Sequence, residues 1–296
     1  MLISIVTINY NNLAGLQKTM QSVLAQTYPH IQYIVIDGGS TDGSAEYIAA
    51  NSVKLAYWIS EKDKGIYNAQ NKGTKQATGR FVQILNSGDT LHNPNCIANI
   101  VSKILPDTQL VGCDILYDNG KRQHYKKSPT HVYAAYFTSR VLYHPSTLIA
   151  KSLHDIYGYY NENFKIVSDW AFLLFVAGIR QAKYQYIAMP LAIFDEYGVS
   201  STPSNKEVSG NERVQVWDEL LSLQVSKELQ LLQYLLDKQG KSYQQVYEAV
   251  QNELETVDVL KQKINTNKSL VTLWLTLVTP VSWHYKKLLF KMFFIK

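Results

Sequence analysis

A mostly parallel α/β sheet flanked by helices, continued by a C-terminal helical extension, is the fold that the sequence predicts. Ile3 to Ile8 and Tyr33 to Ile36 are short, nearly unbroken apolar runs rich in β-branched residues, the composition of strands buried on both faces. Polar turn residues and then helically spaced apolar residues follow, and strands alternating with helices imply crossovers and parallel pairing. The extension is read from Lys206 onward, where apolar residues recur only every three to four positions.

Length and composition bound the rest. With 296 residues and 46% hydrophobic composition, the chain can bury one large core and carry an appendage. Cys96 and Cys113 form neither a disulfide framework nor a metal-binding spacing, which favours a reducing compartment. Met1-Leu2-Ile3-Ser4 has no basic leader, so no signal peptide is expected. The net charge of +5 resides in the tail, where Lys268, Lys286, Lys287, Lys291 and Lys296 face no acid; the remainder balances at 24 basic against 24 acidic residues. A neutral body argues against nucleic acid as a partner, and a basic, aromatic tail points to a surface contact of its own.

Taken in order, the first strand breaks at Asn9-Tyr10-Asn11-Asn12, and Leu13, Leu16, Met20, Val23 and Leu24 form a helix that Pro29 closes. The second strand runs into Asp37-Gly38-Gly39-Ser40-Thr41-Asp42-Gly43-Ser44, where glycines permit tight turns and Asp42 or Ser44 suits a helix cap. Further strands are expected near 55–59, 81–85 and 109–113. Between Glu61 and Asp89 a polar turn, a helix starting near Gly65 and the strand Phe81 to Leu85 lead to Asn86-Ser87-Gly88-Asp89. Ligands of open α/β sheets bind beyond the carboxyl ends of strands, so Asp89 stands where a ligand belongs. The N–H groups and dipole of the helix start suit a phosphate. A nucleotide site fits this stretch, as does an ordinary strand end with a solvated aspartate.

The runs S-I-V-T-I-N-Y-N, V-I-D-G-G-S-T-D-G-S, S-E-K-D-K-G-I-Y-N-A-Q-N-K-G and L-N-S-G-D, in this order over about the first 90 residues, resemble the family 2 glycosyltransferases of the GT-A fold. Val167-Ser168-Asp169-Trp170 and the run from Phe194 to Ser201 resemble that family's bacterial polysaccharide branch, extending the likeness to roughly residue 202. The resemblance implies a Rossmann-like GT-A domain that takes a nucleotide-sugar donor and transfers its sugar with inversion. By position it implies that Thr7, Asn9 and Tyr10 line the nucleoside pocket and that Asp37 accepts a hydrogen bond from the base. Asp63 and the helix start from Gly65 through Asn68 to Asn71 would face the ribose and diphosphate, with Lys72 and Ser87 beside them. Asp89 would bind Mg2+ or Mn2+, hard ions suited to oxygen ligands and to a diphosphate leaving group. Many relatives carry D-x-D here; this chain keeps only Asp89, so metal binding is expected to depend on the donor's oxygens, or Lys72 to share the charge.

Past Ser128-Pro129 a short helix is expected from Tyr133 to Arg140, then an apolar run after Tyr143-His144-Pro145-Ser146-Thr147. His144 reads as a structural histidine, whereas its family position places it on the acceptor side. Asp169 opens the apolar helix Trp170 to Ile179, either as its N-cap or, with Ser168 capping, as a free carboxylate. The resemblance makes Asp169 the general base; burial against Trp170, itself an acceptor-side candidate, would disfavour its charged form and offset the lowering by the helix start. The competing carboxylates are Asp195 and Glu196, after a late strand from Pro190 to Phe194; Gly198 to Pro203 form a loop expected to order over the donor.

The helical pattern from Trp217 to Leu260 fits a hairpin packed on the catalytic domain or a homodimer contact. Residues 269–285 carry no Lys, Arg, Asp or Glu, but threonines and Pro280 interrupt them, and a bilayer span needs about 20 apolar residues. Beyond Pro280, His284, Lys287 and Lys291 oppose Leu288, Leu289, Phe290, Met292 and Phe293, the make-up of a helix lying in the membrane interface; docking on the body is the alternative. The expected organisation is a glycosyltransferase domain at 1–205, a helical extension at 206–267 and a membrane-directed tail at 268–296. The protein is expected at the cytoplasmic face of the cell membrane, moving sugar from a UDP-sugar to a lipid-linked or polysaccharide glycan. No G-x-G-x-x-G follows the first strand, which argues against a nicotinamide dehydrogenase. A non-catalytic nucleotide-sugar-binding scaffold at the membrane is the alternative that the thinned acidic motif leaves open.

Overall fold

The first strand has no solvated face. β1 (Ile3–Asn9) is buried at all seven positions, which is why its sequence is apolar without alternation. It lies between β2 (Ile31–Asp37) and β4 (Phe81–Ile84), parallel to both, and β3 (Tyr57–Ser60) continues the parallel set beyond β2. The crossovers carry α1 (Leu13–Leu24), α2 (Ser44–Ala50) and α3 (Ile66–Gln76). Asn12 Oδ1 caps α1 by accepting the Gly15 N–H at 3.0 Å. Gly43, not Asp42 or Ser44, occupies the cap of α2; Asp42 instead accepts from the N–H groups of Leu13 and Ser44 and so ties the two helix starts together.

The computed structural model describes residues 1–196 and 203–220, and these belong to one unit, Met1–Leu220. The second unit, Leu221–Lys296, lies outside the described residues, as do residues 197–202; the expected loop ordering, helical hairpin or dimer contact and basic tail therefore fall there. Among the described residues, no helix is long and apolar enough to cross a membrane.

Beyond β4 the sheet becomes mixed. β4 pairs antiparallel with β8 (Thr147–Ala150), which pairs antiparallel with β6 (Leu110–Asp118), and β6 runs parallel to β9 (Tyr184–Asp195). A two-residue β5 (Thr90–Leu91) closes the far edge against β9, and β7 (Gln123–Lys126) folds back on β6. The path is β3-β2-β1-β4-β8-β6-β9-β5, parallel through its first four strands and in its longest pairing. β9 begins at Tyr184, earlier than expected from Pro190. Ile187 lies opposite Cys113 and Pro190 opposite Asp114, so a bulge absorbs Ala188 and Met189 and admits the proline. The helix expected from Tyr133 to Arg140 is a 3-10 turn, Ala134–Thr138.

The outer layer holds α4 (Cys96–Val101), α5 (Lys151–Tyr157), α6 (Ser168–Leu173), which continues into a π-helical stretch to Ile179, and α7 (Pro203–Leu220). The boundary expected at 205/206 falls inside α7, which buries Val216 and Trp217.

α3 lies unusually close to the sheet at Gly73. A Cβ there would stand 2.2 Å from Val6 Cγ1 and 3.2 Å from Ile36 Cγ1. Gly73→Ala normally adds about 1 kcal/mol of helix propensity, but overpacking costs about 1–3 kcal/mol. The variant should unfold at lower denaturant than the wild type; an unchanged or raised midpoint would contradict the close approach.

Candidate active site

The loops after β1, β2 and β4 meet at one edge of the sheet. Asp37, at the end of β2, is fully buried and accepts from Asn9 Nδ2 (2.8 Å), Ser40 N (2.9 Å), Ser40 Oγ (2.6 Å), Ser60 Oγ (2.6 Å) and Gly39 N (3.2 Å). Burial alone would raise its pKa, but the donors from Ser40, Ser60 and Asn9 outweigh it and hold the carboxyl below its usual range. Asp37 thus organises the loop with both oxygens committed. Asn9 Oδ1, also buried, has no hydrogen-bond partner among the described residues. Thr7 is corrected to a core residue: it is completely buried with its hydroxyl 3.1 Å from the Tyr33 hydroxyl.

Tyr10, 68% exposed, stands beside Gly38, and a Cβ on Gly38 would meet Asp63 Oδ2 at 3.1 Å and the Tyr10 ring at 3.2 Å. An open aromatic face next to a carboxylate, with bare backbone between them, is a surface on which a nucleoside could lie. Lys72 bonds Asp63 at 2.5 Å and Glu61 at 2.8 Å; this position corrects the expectation that it shares the charge at Asp89. Gly65 precedes α3 with φ +131 and no side-chain cap, leaving the helix start without a side-chain acceptor. Asn68 and Asn71, expected to face the donor, instead clamp a neighbouring loop. Asn68 donates to Glu162 at 2.8 Å, and Asn71 donates to Glu162 at 2.9 Å and to the Tyr160 carbonyl at 2.8 Å.

The loop after β4 is pinned from beneath by Thr19, whose hydroxyl accepts the Gly88 N–H at 3.0 Å and donates to the Asp89 carbonyl at 2.6 Å. Ser87 is tied by its hydroxyl and carbonyl to Asn12. Asp89 is buried, and its Oδ1 accepts the Asp195 N–H at 3.0 Å. Burial is the main reason its pKa is pushed up to about 7; His144 lowers it and Asp195 adds to the rise. The β5–β9 pairing makes this contact, so Asp195 belongs to the Asp89 loop rather than to the acceptor side. Glu196 follows and donates its N–H to the Asp118 carbonyl.

Asp169 and His144 meet beside that loop. His144 Nδ1 lies 3.1 Å from Asp169 Oδ2, the Tyr67 hydroxyl donates to Asp169 Oδ1 at 2.9 Å, and His144 Nε2 is 3.3 Å from Asn86 Nδ2. Their side chains are 20% and 21% exposed, so both can be reached. Burial would raise the Asp169 pKa, but His144, the Trp170 N–H and Tyr67 bring it below the usual range. Burial likewise opposes protonation of His144, while the bond and charge of Asp169 and then the charge of Asp89 raise its pKa. The structure therefore pairs the two at the same end of the sheet as Asp89.

Ser168 does not cap α6; its hydroxyl is buried without a hydrogen-bond partner among the described residues. Glu212 of α7 instead holds the turn before α6, its carboxylate accepting the N–H groups of Lys165 (2.7 Å), Ile166 (3.0 Å) and Val167 (3.2 Å). Trp170 is corrected to a packing residue, 4% exposed, with Phe137, Trp217 and the Arg213 guanidinium around it. Glu212 carries no signal in the sequence, because its partners lie 45 to 47 residues away. Tyr67 was legible only as part of the G-I-Y-N run.

Among the described residues, no group of three or more His, Cys, Asp or Glu gathers to hold a metal. Asp89 nevertheless fits a divalent ion: it is a hard, buried carboxylate whose raised pKa reflects too little compensating positive charge.

Residues 4–172 match the model of "Glycosyl transferase family 2". An uncharacterized glycosyltransferase of Mycobacterium tuberculosis is 33% identical over 215 residues, covering 71% of this chain and 81% of that protein. A PGL/p-HBAD biosynthesis glycosyltransferase of Mycobacterium bovis is 24% identical over 210 residues, covering 69% and 81%. Among solved structures, S. aureus TarS 1-349 in complex with UDP-GlcNAc aligns with a TM-score of 0.58 at 16% identity, covering 77% of this chain and 70% of that one. The mannosyltransferase PcManGT from Pyrobaculum calidifontis, in complex with GDP-Man and Mn2+, aligns with a TM-score of 0.57 at 16% identity, covering 73% and 63%. The expected α/β architecture is the fold of these proteins.

Because hydrogen bonds to a charged group contribute about 1.5–3 kcal/mol each, Glu212→Ala should lower the unfolding free energy by at least about 2 kcal/mol. Glu212→Gln, which keeps acceptor oxygen at the turn, should lose less. Equal midpoints for wild type and Glu212→Ala in urea would show that the three contacts are not formed in solution.

Proposed function

The chain belongs to glycosyl transferase family 2, and from that premise we propose an inverting transfer from a UDP-sugar to a hydroxyl of a lipid-linked or polysaccharide glycan. The observation that carries this reading is the Asp169–His144 pair, about one-fifth exposed and near the buried carboxylate of Asp89. The UDP-GlcNAc bound by TarS and the GDP-Man and Mn2+ bound by PcManGT support a nucleotide-sugar and a divalent ion.

In this reading the nucleoside lies against Tyr10 and Gly38, with Asn9 Oδ1 accepting from the base and Asp63 beside the ribose. The uncapped start of α3 and the loop at Asp89 take the diphosphate. Asp89 would hold Mg2+ or Mn2+ together with the donor's own oxygens; when bound, the ion supplies positive charge to the leaving diphosphate. The acceptor hydroxyl approaches Asp169 and His144. An alcohol is a weak nucleophile, and this pair takes its proton as the oxygen attacks the anomeric carbon from the face opposite the diphosphate. Asp169 alone, with its lowered pKa, would be a weak base; His144 at 3.1 Å gives the proton a second place to reside. Tyr67 fixes the carboxylate's orientation from α3. The basic, aromatic residues 268–296 would hold the enzyme at the cytoplasmic leaflet, where such acceptors are presented.

Two measurements test the site. A proton and a divalent cation compete for the Asp89 carboxylate, whose pKa is about 7, so Mn2+-dependent UDP affinity should fall as pH drops below 7 and level off above it. Asp89→Asn should abolish the Mn2+ dependence; identical calorimetric titrations for variant and wild type would remove Asp89 from the site. Asp169→Asn should retain UDP affinity within a few-fold, while UDP release from a panel of UDP-sugars with membrane extract falls at least about a hundredfold. Near-normal turnover in that variant would transfer the role of base to another carboxylate, with Glu196 the next to test.

A further inference from the structure

The returning arm of the β6–β7 hairpin reads Lys121-Arg122-Gln123-His124-Tyr125-Lys126-Lys127, four fixed positive charges in seven residues without an acid. All seven residues are exposed, and among the described residues none of the four cations is in an ion pair. The neighbouring acid, Asp118, is turned back onto the Gly120 N–H at 2.8 Å and the Gln123 amide at 3.1 Å.

These charges flank and end an ordered strand, Lys121 and Arg122 just before β7, Lys126 at its last residue and Lys127 just after it. β7 pairs with β6 from Ile115 opposite Lys126 to Asp118 opposite Gln123. At the root of the hairpin the fully buried Asp114 accepts from the Tyr125 hydroxyl, the Ser128 N–H at 3.0 Å and the Tyr186 hydroxyl at 2.9 Å. The arm also abuts the active-site wall. Lys126 Nζ rests 4.0 Å from the centre of the Tyr117 ring, which meets Tyr143 at 5.8 Å and Phe194 at 5.0 Å. Tyr143 precedes His144 and Phe194 precedes Asp195, so two aromatic rings in contact lead from the basic arm to the neighbours of His144 and Asp195.

We propose that this hairpin binds an anionic acceptor, a glycan chain bearing phosphate or carboxylate groups, and holds it with its terminal hydroxyl at the His144–Asp169 pair. The proposal rests on the glycosyltransferase reading and adds the charge class of its acceptor. Cations without an ion pair at both ends of a short exposed strand can meet successive anions of a repeating chain, and they act within a Debye length of about 8 Å at physiological salt. A bilayer is the poorer occupant: interfacial binding needs apolar area as well as charge, and the only large apolar side chain on the arm, Tyr125, has its hydroxyl committed to Asp114.

The test is binding of the full chain to polygalacturonate and to long-chain polyphosphate at about 0.15 M salt, with neutral dextran and phosphatidylglycerol vesicles as further arms. Wild type is compared with a K121Q/R122Q/K127Q variant, whose exposed substitutions leave Lys126 on Tyr117. The expected result is a loss of about tenfold in polyanion affinity in the variant, no binding of dextran by either protein, and equal UDP affinity. Equal polyanion affinity in both proteins, or no polyanion binding by the wild type, overturns the proposal. A loss confined to the vesicles overturns it too, by assigning the arm to a bilayer. Failure of the wild type to bind UDP in the same samples would instead count against the glycosyltransferase reading.

Discussion

β4 is the seam of the molecule. On one side it runs parallel to β1, so its carboxyl end joins those of β1 and β2; on the other it runs antiparallel to β8. Antiparallel pairing places the residues that precede β8 next to those that follow β4. That geometry brings His144, just upstream of β8, to Asn86 and within the electrostatic reach of Asp89. With a parallel neighbour in that position, His144 would lie at the opposite edge. The loops after β1, β2 and β4 and the His144–Asp169 pair share one end of the sheet because one pairing changes direction.

Three aspartates, Asp37 and Asp89 buried and Asp169 partly so, then behave differently because their surroundings differ. Asp37 has five donors and stays ionised, a fixed anion that shapes a loop. Asp169 has a histidine and a tyrosine, so its charge is shared with groups that can move a proton. Asp89 has a single backbone N–H and the penalty of burial, which pushes its pKa up to about 7. Burial supplies the same push in all three cases, and the local donors decide what each carboxylate can do.

The half of the site after β4 is braced from outside the sheet. α7 reaches back so that Glu212 gathers the N–H groups before α6, and Trp217 packs on Trp170 from the same helix. The position of Asp169 therefore depends on a helix that follows it by more than a hundred bonds of chain, at a point where composition already reads as extension rather than catalytic domain.

By itself the sequence determined the alternation of strands and helices, because a strand buried on both faces must be apolar at every residue and β1 is. It also placed Asp89 and Asp169 at the ends of such elements, since each follows or opens an apolar run, and its ordered motifs carried the family. It could not assign partners. Thr7 and Trp170 sit in motifs yet are core, whereas Asn68 and Asn71 spend their amides on Glu162 and the Tyr160 carbonyl. The strand reversal at β8, the bulge that starts β9 early, and the contacts of Glu212 and of the β6–β7 hairpin were decided only by tertiary structure. Side-chain periodicity records which face of an element is buried, but the identity of the group it meets depends on chain direction and register across distances that no local pattern encodes.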